Sequence, residues 1–190
     1  MSGLAHHINI SIGAQVLSLY EVAASQDRWD LQSWRGGIPV MTFPVSTALN
    51  GSGQEMGSFK TPLGRHRIRA KIGAAAPLHS VFVGRRPTGE VWSAELAAAG
   101  PRRDWILTRI LWLCGMEPGH NRFGNCDTMR RYIYLHGSPP SVAMGEPGSI
   151  GCVRMTGPDV MALFDAVEVG TTLLLHPLAS AAREGVPVTY

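Results

Sequence analysis

The chain has 190 residues, of which 45% are hydrophobic and 16% charged, and its formal net charge is +3. That length supports one substantial core, and that balance excludes an intrinsically disordered chain. The modest charge, with no basic run interleaved with aromatics, argues against a nucleic-acid partner.

Of the 17 Lys and Arg residues only Lys60 and Lys71 are lysine, so the basic chemistry is guanidinium chemistry. Guanidinium is the group suited to forked recognition of carboxylates and phosphates. Three cysteines, Cys114, Cys126 and Cys152, are too few for a disulfide framework and fit a reducing compartment. No Lys or Arg precedes Arg28, and histidines and an asparagine break up the early apolar residues. A cytoplasmic protein with no membrane segment is therefore expected; a trimmed N-terminus would instead admit a periplasmic one.

The 22 glycines and 13 prolines are spread along the chain and imply many turns between short strands. HINISIG (7–13) alternates as a half-buried strand does, and QVLSLYEV (15–22) continues as a second strand or the return of a hairpin. IPVMTFPVSTA (38–48) reads as a strand with Pro44 at an edge or bulge. NGSGQEMGSFKTPLG (50–64) is a polar, glycine-rich loop, followed by strands in RHRIRAKIG (65–73) and HSVFVGRR (79–86). GEVWSAELAAAGPRRD (89–104) fits a short helix or an irregular loop. WILTRILWLCG (105–115) reads as a central strand, with a helix also compatible with its length. After the loop MEPGHNRFGNCD (116–127), the segment TMRRYIYLHG (128–137) reads as a strand with Tyr132, Tyr134 and His136 on one face. TGPDVMALFDAVEVG (156–170) shifts to helical spacing, with Pro158 in the first turn and Gly170 past the end. TTLLLHP (171–177) is the last strand. The expected fold is one mainly β domain over 1–190 with a late α-helix.

The chemistry concentrates in YLHGSPPSVAMGEPGSIGCVRM (134–155), where His136-Gly137 and Gly151-Cys152 stand at the two ends of one loop. A free thiol is only a few per cent thiolate at neutral pH, and a neighbouring imidazole lowers its pKa and supplies a base. Gly151 permits a backbone conformation that aims N–H groups beside Cys152 at a developing oxyanion. Gly137 lets the chain pass close behind the imidazole. Arg154, in extended backbone, shares a face with Cys152 and either grips a substrate carboxylate or braces the loop. Ser149 fits a turn hydroxyl bonded to nearby backbone. The competing reading is a packed thiol beside a buried imidazole; glycines flanking both residues count against it. Cys114, His120 and Cys126 are spaced too widely for a zinc site, so no metal or other cofactor is expected. The pairs Arg85-Arg86, Arg102-Arg103 and Arg130-Arg131 read as solvated.

The pattern H-G-x11-S-x-G-C-V-R-M closely resembles the L,D-transpeptidase (YkuD) catalytic domain, as does FPVSTALNGSGQEMGSFKTPLGRHRI (43–68) upstream. The resemblance spans about Phe43 to His176. It implies a family-specific β-sandwich with the cysteine loop over a groove. It also implies that Cys152 attacks the carbonyl between meso-diaminopimelate and the terminal D-alanine of a peptidoglycan tetrapeptide stem, forming a thioester. His136 would act as base and then acid, oriented by the carbonyl of Gly137 or Ser138. Gly151 and Cys152 would supply the oxyanion hole, with Arg154, Ser149, Ser138 and Ile150 near the substrate. Many members carry histidine where this chain has Ile150, which leaves the proton chemistry to His136 alone. Water as acceptor gives an L,D-carboxypeptidase that trims muropeptides; an amine gives a transpeptidase that forms crosslinks. The expectation for a cytoplasmic protein is the carboxypeptidase, with the transpeptidase second and a non-catalytic stem-peptide-binding module third. A covalent carbapenem adduct at Cys152 is also implied.

Overall fold

The computed structural model describes residues 5–23, 29, 37–101 and 103–178. Among these, ten strands join one sheet: β1 (Ala5–Ser11), β2 (Val16–Val22), β3 (Met41–Pro44), β4 (Gly64–Ile72), β5 (Ser80–Val83), β6 (Arg86–Val91), β7 (Ile106–Gly115), β8 (Tyr134–Gly137), β9 (Val153–Met155) and β10 (Thr172–His176). Two α-helices accompany them, α1 (Ala94–Ala99) and α2 (Gly157–Ala166). The sheet runs β3-β2-β1-β10-β4-β7-β5-β6, and β8 and β9 branch from it at β7. β4 takes Ile110–Gly115 and β5 takes Ile106–Leu107 on one edge of β7, which leaves the other edge to β8.

The period-two alternation decides which side of this sheet is dry. Ile8, Ile10, Leu17, Leu19, Leu111, Leu113, Leu135 and Val153 all point into the main core. α2 closes that core with Val160, Leu163 and Phe164, each worth about 2 kcal/mol on burial. Thr156 caps the helix through Asp159 N–H at 3.2 Å, and Pro158 occupies its first turn, where no N–H is needed. The opposite side of β7 and β8 carries a smaller cluster of Phe82, Ile110 and Tyr134, with Trp112 and Cys152 packed on it.

Several expected boundaries move. The segment 38–48 pairs as a strand only over Met41–Pro44, at the edge of the sheet, where the missing N–H of Pro44 costs nothing. The 79–86 strand is cut by a tight turn at Gly84-Arg85, both at positive φ, which sends the chain back as β6. The expected strand 128–137 forms only over Tyr134–Gly137; Tyr132 lies in a turn at φ +56° and leaves the face assigned to it. The 105–115 segment is a strand, and α1 occupies part of the ambiguous 89–104 stretch. The arginine pairs are not simply solvated. Arg85 lies over the Trp112 and Tyr132 rings, Arg103 pairs with Glu90, and Arg131 is held by backbone carbonyls. Arg102 and the last residues, 179–190, lie outside the described residues.

β7 bulges where it faces the site. Leu107 pairs with Gly137 and Ile110 with His136, so Thr108 and Arg109 are extra residues opposite a single step of β8. Thr108 sits at φ +69°, unusual for a β-branched residue. Its hydroxyl accepts the His79 N–H at 3.1 Å, and Arg109 donates to the Thr108 carbonyl at 2.7 Å. A Cβ on Gly137 would stand 2.7 Å from the Leu107 carbonyl oxygen and 3.1 Å from Thr108 Cβ. The glycine is thus required by the bulge of the neighbouring strand, not by the imidazole beside it.

Gly137→Ala is expected to lower stability by about 1–3 kcal/mol through overpacking, read as a drop in urea midpoint; an unchanged midpoint would mean the bulge yields freely. A second expectation concerns His66, fully buried, with Nδ1 3.0 Å from the Gly64 carbonyl and Nε2 3.0 Å from Thr128 Oγ1. Burial holds its pKa down to about 4, against the opposing pull of the Gly64 carbonyl. The unfolded chain therefore binds this proton first as pH falls. The stability His66 contributes is complete above about pH 6.5, drains away toward pH 4, and amounts to about 3 kcal/mol. His66→Gln should lose correspondingly less stability between pH 7 and pH 4.5 than the wild type does.

Candidate active site

The loop from Ser138 to Cys152 returns the chain to where it left the sheet, and β9 pairs with β8 in parallel. Leu135 faces Val153, His136 faces Arg154 and Gly137 faces Met155. Parallel partners share a face, so His136, Arg154, Tyr134 and Cys152 all emerge on the side opposite the main core. This register puts the histidine and cysteine read from the sequence on one side of the sheet.

His136 is buried, and its Nδ1–H donates to the Gly137 carbonyl at 2.8 Å. Of the two carbonyls considered, Gly137 is the one engaged. Fixing the proton on Nδ1 leaves Nε2 as the basic nitrogen. Burial lowers the His136 pKa, so the resting imidazole is neutral. The Cys152 thiol accepts the Tyr134 N–H at 3.3 Å and donates to the Tyr132 carbonyl at 3.5 Å. Neither hydrogen bond goes to the imidazole. The residue keeps an accessible edge, but its sulfur is enclosed deeply enough that burial dominates and pushes the thiol pKa up to about 12. Asp104 pushes the same way, while the Tyr134 N–H, Arg154 and Arg131 pull against it. Both shifts favour a neutral thiol beside a neutral imidazole.

The turn that carries the nucleophile is tied from within and from outside. Gly151 has φ +138°, a region L side chains avoid, and a Cβ there would meet Ile133 Cδ1 at 3.1 Å. Ser149, buried, donates to the Cys152 carbonyl at 2.5 Å and accepts the Gly151 N–H at 3.2 Å. The Gly151 N–H expected in the oxyanion hole is therefore already engaged. Arg154 braces the loop: it donates to the Gly148 carbonyl at 2.9 Å and to Asp104 at 3.0 Å. Ser138 is buried, with its hydroxyl unpaired among the described residues. Ile150, next to Gly151 in the chain, is 56% exposed.

Sequence reasoning assigned no role to the residues that hold this turn. Thr61 donates to the Gly151 carbonyl at 3.0 Å and accepts the Ala48 N–H at 2.9 Å. Thr47 accepts the N–H groups of Gly148 and Ser149 through its carbonyl, and Ser46 exchanges two backbone bonds with Arg154. Arg131 donates to the carbonyls of Gly53, Gln54 and Lys60, which fastens the glycine-rich loop beside Cys152. Pairing between P-V-S-T and T-P-x-G was the available signal: two short polar motifs far apart in sequence, each carrying hydroxyls. No group of three His, Cys, Asp or Glu side chains among the described residues is placed to hold a metal ion. No helix among them is long and apolar enough to cross a membrane.

Comparison with known proteins places these observations. The family model described as YkuD, the L,D-transpeptidase catalytic domain, matches residues 19–177. No curated protein matches. Among solved structures, L,D-transpeptidase 3 from Mycobacterium tuberculosis, in complex with a faropenem-derived adduct, superposes with a TM-score of 0.50 at 16% identity, covering 92% of this chain and 61% of that one. An L,D-transpeptidase from Mycobacterium smegmatis gives 0.49 at 16% identity, with 92% and 59% covered. The Enterococcus faecium enzyme, as a C442S mutant, gives 0.49 at 13% identity, with 90% and 50% covered. The chain thus spans only about three-fifths or less of these proteins, and at such identities the likeness concerns the fold.

A buried thiol makes a clear expectation for labelling. Alkylation of Cys152 by iodoacetamide, followed by peptide mass spectrometry from pH 6 to 10, should keep rising through pH 9. A plateau reached below pH 8 would mean a thiolate already stands in the resting site.

Proposed function

Because the chain belongs to the YkuD L,D-transpeptidase catalytic-domain family, we propose that it performs cysteine acyl transfer on peptidoglycan tetrapeptide stems, cleaving the meso-diaminopimelate–D-alanine bond with water as acceptor. The observation that carries the reading is the shared sheet face of Cys152 and His136, with Nδ1 of the histidine committed to the Gly137 carbonyl.

The chemistry follows from that arrangement. Cys152 Sγ attacks the carbonyl carbon as its proton passes to His136 Nε2, and the tetrahedral oxyanion forms beside the Cys152 N–H. With the Gly151 N–H held by Ser149, a second donor requires either release of that bond or a group from substrate. The imidazolium returns the proton to the departing D-alanine amine, leaving a thioester on Cys152. Water then attacks the thioester with His136 again as base. That proton goes back to the departing sulfur, and the tripeptide stem leaves as a carboxylic acid that gives its remaining proton to solvent. Asp104 and the Gly137 carbonyl are the neighbours that favour the transient imidazolium.

The charge near the nucleophile supports water over an amine. Arg131 and Arg154 flank Cys152, and the one nearby carboxylate, Asp104, is paired with Arg154. Such a field attracts the carboxylates of a donor stem and repels an acceptor arriving as an ammonium ion. Arg154 takes a substrate carboxylate with the N–H groups its brace leaves over; Ser149 and Ser138 keep the loop in position, and Ile150 forms an apolar lip. Free muropeptides in the cytoplasm are the substrates this chemistry suits. Carbapenems, as acylating agents of the same thiol, form an adduct at Cys152.

Purified protein incubated with a diaminopimelate-containing disaccharide tetrapeptide should release one D-alanine and give no dimer, as read by mass spectrometry. Cys152→Ala should abolish release, and His136→Ala should reduce it by about a thousandfold or more. Crosslinked dimer, or exchange for an added D-amino acid, would reassign the acceptor as an amine. Stoichiometric binding without release, and no carbapenem mass shift on wild type, would leave a stem-peptide-binding module.

A further inference from the structure

A cavity of about 570 Å³ is lined by Arg67, Arg69, Arg122, Arg130, Asp127 and Phe123. Its floor is Cys114, two residues beyond Trp112 on the same face of β7. None of the four arginines takes part in an ion pair among the described residues; the two ion pairs there are Arg103–Glu90 and Arg154–Asp104. The one carboxylate in the cavity has its oxygens turned to backbone: Asp127 Oδ2 accepts the Phe123 N–H at 2.7 Å, and Oδ1 accepts the Arg130 N–H at 3.0 Å. Four arginines and a single aspartate thus line one hollow, an excess of positive charge.

The loop that supplies half of these groups is held in place beforehand. Asn121, fully buried, donates to the carbonyls of Leu63 and Arg65, and Thr128 returns two bonds to its own carbonyl. Phe123 is kept at φ +67°, a strained value for an aromatic residue, with its ring 56% exposed and Arg122 lying 4.7 Å from the ring centroid. A strained aromatic beside converging guanidinium forks is an arrangement for a flat or ringed ligand that carries concentrated negative charge.

We propose that Arg67, Arg69, Arg122 and Arg130 form a binding site for a phosphoryl polyanion, a diphosphate or a run of consecutive phosphodiesters, borne by the molecule whose stem peptide reaches Cys152. A lone carboxylate occupies one fork; a group with several oxyanions and at least two charges engages several, and the excess of cations here matches the second kind. That the same molecule reaches the nucleophile rests on the acyl-transfer reading. Anion binding itself does not.

The test uses the full chain and isothermal titration calorimetry at low salt. Inorganic pyrophosphate should bind wild type with a Kd below about 1 mM, and Arg67→Gln/Arg122→Gln should weaken it about tenfold or more. Cys152→Ala should leave it unchanged. Two further probes separate the sources: tighter binding of a nucleoside diphosphate points to a nucleotide-linked stem, and tighter binding of a short poly(glycerol phosphate) points to a phosphodiester polymer. Arg122→Lys, which keeps the charge and loses the fork, should recover only part of the affinity. Equal binding by wild type and the double variant, or acetate and sulfate matching pyrophosphate, would overturn the site. For shared occupancy, the double variant should raise KM for a phosphorylated tetrapeptide without changing KM for a phosphate-free one; equal KM changes would overturn that part. Absence of any turnover alongside intact pyrophosphate binding would count against the acyl-transfer reading alone.

Discussion

Everything at the site depends on the parallel pairing of two very short strands. β8 has four residues and β9 three, and neither is long enough to persist by itself. β9 is held on both sides, by β8 and by the backbone exchange between Ser46 and Arg154. Through that double grip the register is fixed, and a one-residue slip would send Cys152 and Arg154 into the core and Val153 out of it. Apolar burial enforces the choice, since Val153 and Met155 are fully buried on the other face. The main core thereby sets the position of Cys152.

The sulfur and the imidazole are both kept neutral by the same cause, removal from water. That has a cost in basicity and a benefit in the step that follows. Charge created in a dry site is felt strongly by the fixed dipoles and cations around it. In the proposed acyl transfer, Arg131 and Arg154 would act on the developing thiolate and oxyanion more than on the resting thiol. They are placed for this by duties elsewhere in the fold: one clamps the glycine-rich loop and the other braces the loop end.

Much of this was readable from residues alone, and the parts that were not share a physical reason. The strands with alternating or continuous apolar residues, such as 7–13 and 105–115, declared themselves because burial imposes their period. So did α2, whose Thr156, Pro158 and Leu163 mark cap, first turn and buried face. Tyr132 misled because its aromatic character suits a strand, whereas its position is set by a turn at positive φ and by stacking on Trp112. Gly137 was visible as necessary, but its reason lies across the sheet in the bulge at Thr108, and pairing partners are not written in local sequence. Thr61 and Thr47 carry the turn of Cys152 by hydrogen bonds over long separations, which periodicity cannot register. The thiol's protonation state was out of reach for the same cause, because desolvation is a property of the assembled surroundings.

The central position of β10 has a further implication for how the molecule comes into being. This strand, formed by Thr172–His176, lies between β1 and β4 and pairs in parallel with the first strand of the chain. A gap in the middle of the sheet therefore persists until more than nine-tenths of the described residues have been made. During synthesis the segments bearing His136 and Cys152 emerge before the sheet that will seat them is whole. A nascent chain that has passed Cys152 thus still lacks the strand that joins the two parts of its sheet.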